Sequence, residues 1–208
     1  VQYRHIFWAI IAASVAFSAE NGAAKNKLTH EMSAMYAAVD LSPPTATHMT
    51  VCYGFRCRRR MELAFTGKER VTLRNILARG RASPAAERKA LQRAFVWFDH
   101  RVGKEVGTSK RVASADFRAF DDAHNFDCWD TTRNATSLLL VLQAWGALRH
   151  HTVSNPRYRG NILIGQLPHN TAVIVERKTA TKWIVDMWPT AYGQVPDVMP
   201  LAQWLEEK

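Results

Sequence analysis

Cys128, His169 and Asp186 are, in type and in order, the residues from which a nucleophilic acyl-transfer site is built. A cysteine attacks amide, ester or thioester carbonyls as its thiolate. It therefore needs a base to take its proton, and the base needs an acceptor that fixes its orientation. Cys128 opens a run to Trp145 in which Leu138, Leu139, Val141, Leu142 and Trp145 predict a buried central helix stopped at Gly146. At the start of that helix, free backbone N–H groups and the helix dipole favour the thiolate. The Cys128 amide would also face an oxyanion forming beside its sulfur. A second oxyanion donor is not set by the pattern, and Asn125 and His124 are candidates by proximity alone.

The base and its orienting group fall on two strand-like runs, Thr171 to Val175 and Trp183 to Val185. A hairpin with Arg177-Lys178 at its tip would set Val173 opposite Lys182 and His169 opposite Asp186. Directly opposed side chains have Cβ atoms about 5 Å apart, within reach of an imidazole-carboxylate bond. Arg177-Lys178 lacks the Asn or Gly that two-residue hairpins prefer, so a longer loop is expected, and a one-residue slip would separate the pair. Each residue also has a plainer reading. His169 follows Pro168 and could bond backbone at a strand edge. Asp186, in the apolar run Trp183-Ile184-Val185-Asp186-Met187-Trp188, needs a partner, which could instead be Lys182 or an arginine. Cys128 could be a buried inert thiol.

The other cysteines, Cys52 and Cys57, stand close enough in Val51-Cys52-Tyr53-Gly54-Phe55-Arg56-Cys57 to close a small disulfide loop, which leaves Cys128 free. No histidine, His150-His151 included, stands at a spacing typical of zinc ligation with cysteine, so no metal or cofactor is expected. Asn134-Ala135-Thr136 matches a glycosylation acceptor, but its place in the central helix makes a chance match the better reading.

This order and spacing resemble the core of the transglutaminase-like superfamily, with papain-like cysteine peptidases as distant relatives. Asp127-Cys128-Trp129-Asp130 looks like the Asp-Cys-x-Asp signature of exported bacterial transglutaminase-like cysteine peptidases. Pro168-His169-Asn170-Thr171-Ala172-Val173 and Trp183-Ile184-Val185-Asp186 take the places of that family's histidine and aspartate strands. The resemblance covers roughly residues 85 to 190. It implies an α+β fold in which a central helix carrying the cysteine packs on an antiparallel sheet carrying histidine and aspartate. It further implies a hydrolase or acyltransferase acting on a peptide or protein. Phe126 and Thr171 stand where many such domains have glycine and an aromatic residue. Some related peptidases bind calcium through acidic residues near the cysteine, a cluster that Trp129 interrupts here, so calcium is possible but the sequence does not support it. Asp127-Cys128 also resembles the Asp-Cys-Ser-Gly helix start of cell-wall endopeptidases, but Ser-Gly is missing and Asp186 is an addition.

Around these residues, the chain of 208 residues with 47% hydrophobic content suits one α+β domain, with helices first and antiparallel strands after. Residues 1–24 read as a signal peptide: Arg4 and His5, then an apolar run from Ile6 to Ala19, with cleavage after Ala16 or Ala24. An exported protein, periplasmic or secreted, is therefore expected. Residues 25–46 end in Ser42-Pro43-Pro44 and read as a linker or loose arm, with the folded domain over 47–208. Ser83-Pro84 should start a helix carrying Leu91, Phe95, Phe98 and Val102 to a stop at Gly103. Short strands are expected over Met49–Phe55 and Ile162–Ile164, and Pro200 should open a last helix through Trp204.

The formal charge of +10 is concentrated between Arg56 and Arg111, where 16 Lys and Arg face 5 Asp and Glu. Arg88, Lys89, Arg93 and Arg101 read as a solvated face. Without aromatic platforms or a DNA-binding motif, a nucleic-acid partner is not expected. A basic surface against anionic cell-envelope polymer or lipid would instead suit a non-catalytic binding module, the rival to an enzyme. Oligomeric state is not written in the pattern.

Overall fold

The computed structural model describes residues 28–207, so the expected signal peptide lies outside the described residues. Helix α1 (His30–Ala37) precedes a hairpin of β1 (His48–Tyr53) and β2 (Arg59–Ala64). Helices α2 (Gly67–Ala78), α3 (Pro84–Val106) and α4 (Cys128–Ala144) follow. The antiparallel sheet β3 (His151–Asn161), β4 (Gln166–Glu176) and β5 (Lys182–Val185) comes next, and α5 (Leu201–Glu206) closes the chain. The architecture is a mixed α+β arrangement with two small antiparallel sheets.

Helix α4 is central because it has no polar face left for water: Asp130 through Leu142 are all buried. Leu138, Leu139 and Leu142 share one core with Leu91, Phe95 and Phe98 of α3, Met49 and Val51 of β1, and Ala172 and Ile174 of β4. Burying a leucine or phenylalanine side chain contributes about 2 kcal/mol, so this shared core sets where the N-terminus of α4 sits against β4. Ser83 caps α3 as expected, its Oγ accepting from Ala86 N at 3.1 Å. The helix runs past Gly103 and ends at Gly107, which takes the left-handed φ of 79°. Gly103 is a point of close approach, where the ring of Tyr192 occupies the space a Cβ would need.

Three further expectations are revised. The segment expected as a loose arm carries α1, whose Met32, Met35 and Tyr36 are buried against Leu140 of α4. The Tyr36 hydroxyl bonds Ser137 Oγ at 2.8 Å. Asn155-Pro156, a pair that by itself signals a loop, lies within β3. Pro156 falls where the register shifts between Ser154 and Arg157, on an edge strand, a place where the lost N–H is tolerated. Ile162–Ile164 is a 3₁₀ turn joining β3 to β4, with Ile162 and Leu163 exposed.

Nor is the basic face simply solvated. Arg88 lies 3.5 Å above the Trp183 ring and bonds Glu176 at 3.0 Å. Arg101 bonds Glu69 at 2.6 Å, and Arg111 is buried against Asp99 at 3.0 Å.

Candidate active site

Cys128 is the first residue of α4, and Asp127 caps the helix by accepting from Asp130 N at 2.7 Å. As the first helical residue, Cys128 has no helical carbonyl for its own N–H. Its thiol is partly exposed and free.

The Asp-Cys-x-Asp segment is tied to the Cys52–Cys57 disulfide loop. Gly54, Phe55, Arg56 and Cys57 all have positive φ, so their N–H groups turn away from ordinary strand pairing. Asp127 Oδ2 accepts from Arg56 N at 2.8 Å and Asp130 Oδ1 from Cys57 N at 2.7 Å. One turn on, Asn134 exchanges two 2.8 Å bonds with the Cys52 backbone. The two aspartates and Asn134 thus clamp the loop onto the start of α4. Asn134 is buried and committed, so its glycosylation motif is a chance match. Burial, then the neighbouring Asp127 charge, push Asp130 up to about 7 against the pull of Cys57 N–H and Arg133. Asp130 also lies near both disulfide sulfurs, but joined sulfurs are not thiolate ligands.

His169 and Asp186 come together by a register other than the expected one. Val173 pairs with Ile184 and Val175 with Lys182, two residues from the predicted alignment, because the turn beyond Glu176 is longer than two residues. A shift of two returns every side chain to its original face, so His169 and Asp186 become diagonal neighbours. Asp186 lies just past β5, held by reciprocal 2.9 Å backbone bonds with Asp197. His169 Nε2 donates to Asp186 Oδ2 at 2.5 Å, and Asp186 Oδ1 accepts from Trp188 N at 3.1 Å. Both carboxylate oxygens are thereby fixed.

The imidazole is buried, its centroid 4.6 Å from the Trp188 ring and 5.6 Å from Trp204. Its Nδ1 is buried and has no hydrogen-bond partner. Burial alone would drive the ring toward neutrality, but the Asp186 bond and charge, with the influence of the nearby Cys128, outweigh it and raise His169 to about 9.

Both candidates for a second donor are bonded to other groups. Asn125 is a buried strut: its Oδ1 accepts from Val112 N at 2.9 Å and its Nδ2 donates to Asp122 at 2.8 Å. His124 is exposed and bonded to Asp122. The polar group beside the sulfur is Asn170, whose Nδ2 lies 3.5 Å from Cys128 Sγ. Sequence reasoning missed it, although it directly follows His169. Trp188 and Trp204 were also missed as the walls of the histidine, because only the tertiary fold brings both indoles to one ring.

Cys128 borders an apolar groove of about 490 Å³ walled by Phe55, Phe117, Phe120, Leu167 and Trp188. Phe117 and Leu167 are exposed, 82% and 68%, so the groove continues an open apolar rim. A smaller cavity is lined by His169 and Asp186 together with Arg159, Asp197 and Glu207. Burial, then Asp186 and Glu207, raise the Asp197 carboxyl.

The remaining histidine pair serves the fold. His151 is fully buried, with Nδ1 donating to Glu87 Oε1 at 2.8 Å and Nε2 accepting from Arg88 at 3.2 Å. Burial opposes the Glu87 charge, but bonds from His151, His150 and Arg149 hold its carboxyl below the usual range. Glu87 thus gathers the backbone at the start of β3.

Compared with protein-family models, curated proteins and solved structures, the chain has no match, so the site is read from its own geometry.

Proposed function

We propose that this chain is a cysteine-dependent hydrolase or acyltransferase acting on peptide or amide carbonyls, with Cys128 as nucleophile, His169 as base and Asp186 as the residue that orients it. The observation that carries the reading is the buried His169. Its Nε2 is committed to Asp186 at 2.5 Å, while its Nδ1 lacks a partner and the ring is influenced by Cys128. A structural histidine at 3% exposure would ordinarily have both nitrogens satisfied. A helix start carrying the cysteine and a sheet carrying the other two residues is also the arrangement of a papain-like or transglutaminase-like core, and we assign the fold to that class.

In the reaction, His169 Nδ1 takes the Cys128 proton and Sγ attacks the carbonyl carbon, sending the π pair to oxygen. The Cys128 N–H faces that oxygen at the helix start. Collapse breaks the C–N bond, and the imidazolium returns its proton to the leaving amine. Water or a second amine then resolves the thioester by the same exchange in reverse. Asp186 holds the ring through both halves. An exported location accords with the Cys52–Cys57 disulfide, a bond that persists in oxidising compartments. Among the described residues no helix is long and apolar enough to cross a membrane.

The test is alkylation of Cys128 by iodoacetamide across pH in the folded protein, beside His169→Ala. Rapid labelling below pH 7 that collapses in the variant is the expected result. Slow labelling of both proteins, with the profile of an ordinary thiol, overturns the assignment.

A further inference from the structure

Asn170 is 3% exposed, and while its Nδ2 donates to Cys128 Sγ at 3.5 Å, its Oδ1 is buried with no partner. An unpaired interior amide oxygen costs about 1–3 kcal/mol, so its retention beside a reactive sulfur calls for an explanation in function. Asn170 lines a pocket of about 260 Å³ that shares no wall residue with the apolar groove. Glu31 of α1, Trp129 of α4 and Tyr158 of β3 complete its sides. Trp129 and Tyr158 are 40% and 57% exposed and offer aromatic surface, beside the Glu31 carboxylate and the Asn170 amide, whose Oδ1 has no partner.

We propose that this pocket is the subsite for the acyl side of a peptide substrate and that Asn170 is a catalytic residue reading it. Oδ1 accepts the N–H of the residue whose carbonyl is attacked. Nδ2, already beside the sulfur, donates to that carbonyl oxygen as it becomes the oxyanion. The substrate class is a carbonyl preceded by a secondary amide, as within a peptide chain, rather than a simple acyl ester. The proposal rests on Cys128 being the nucleophile, and the experiment separates the two.

The experiment measures acylation of Cys128 by the p-nitrophenyl esters of N-acetylglycine and N-acetylsarcosine, which differ in an N–H replaced by N–CH3. Sγ bonds to the carbonyl carbon and p-nitrophenolate leaves, so each event releases one coloured ion. Rates are corrected with Cys128→Ala and for hydrolysis in buffer, and iodoacetamide labelling runs in parallel. Wild type should favour the glycine ester by about 10–100-fold, the worth of one buried hydrogen bond. In Asn170→Ala that preference should vanish while iodoacetamide still labels Cys128. Asn170→Leu, similar in size and without polar atoms, serves if the alanine variant does not fold. A preference that survives in the variant, or is absent from wild type, overturns the subsite while labelling leaves the nucleophile standing. A wild-type chain inert to both esters and to iodoacetamide overturns the nucleophile and the subsite with it.

Discussion

At the scale of single residues, the protonation of His169 is the property most open to measurement. Its value of about 9 in the folded chain stands above the ordinary 6.5, so folding binds this proton more tightly. The resulting stability is fully present below about pH 6.5 and is lost as pH rises through about 9. Asp186→Asn removes the charge that, with Cys128, outweighs burial. The His169 ring signal in an NMR titration should then move its midpoint downward from about 9. Wild-type melting temperature should fall between pH 7 and 10, and the variant's should fall less. Acylation of Cys128 should drop about 100-fold or more, the usual worth of a positioned base, because the ring loses the anionic acceptor that fixes its tautomer and orientation. An unchanged midpoint would mean that Asp186 does not hold the imidazole.

Among elements, the junction between the disulfide loop and the start of α4 is the one on which the site depends most. Asp127 and Asp130 bond the loop backbone at 2.8 and 2.7 Å, and Phe55 and Arg56 of that loop form one wall of the groove beside Cys128. Replacing both loop cysteines by serine should lower the free energy of urea unfolding by about 2 kcal/mol, the loop-entropy value for so short a closure. Strained left-handed residues from Phe55 to Cys57 would lose their tether, so Arg56 N and Cys57 N should leave their acceptors. The double variant should therefore show faster amide exchange at those two positions, and a loop protected as in wild type would show that the aspartates alone hold it. The His–Asp hairpin makes the complementary point. The residues Thr171 to Val175 and Trp183 to Val185 announce two strands, but the length of the turn decided the register, and a shift of two kept His169 and Asp186 on one face.

Over the whole molecule, one core joins α3, α4, the small hairpin and the main sheet, and α1 is laid against α4 from outside it. Tyr36 is 2% exposed with its hydroxyl on Ser137, so Tyr36→Ala should cost about 3–4 kcal/mol by thermal or urea unfolding and release α1 to protease first. Loss of less than about 1 kcal/mol would show that α1 is held elsewhere. Glu31 and Met35 of α1 also wall the pocket beside Asn170, so the same variant should weaken whatever fills that pocket. By itself the sequence determined the α+β class, the central helix opened by Cys128, the disulfide-compatible pair and the candidate triad, because these follow from local periodicity, capping and spacing. The tertiary structure alone decided the docking of α1, the two-residue register, the indoles around His169 and the placement of Asn170 beside Cys128. Those depend on which distant surfaces exclude water together, and that is a property of the packed chain and not of any one segment.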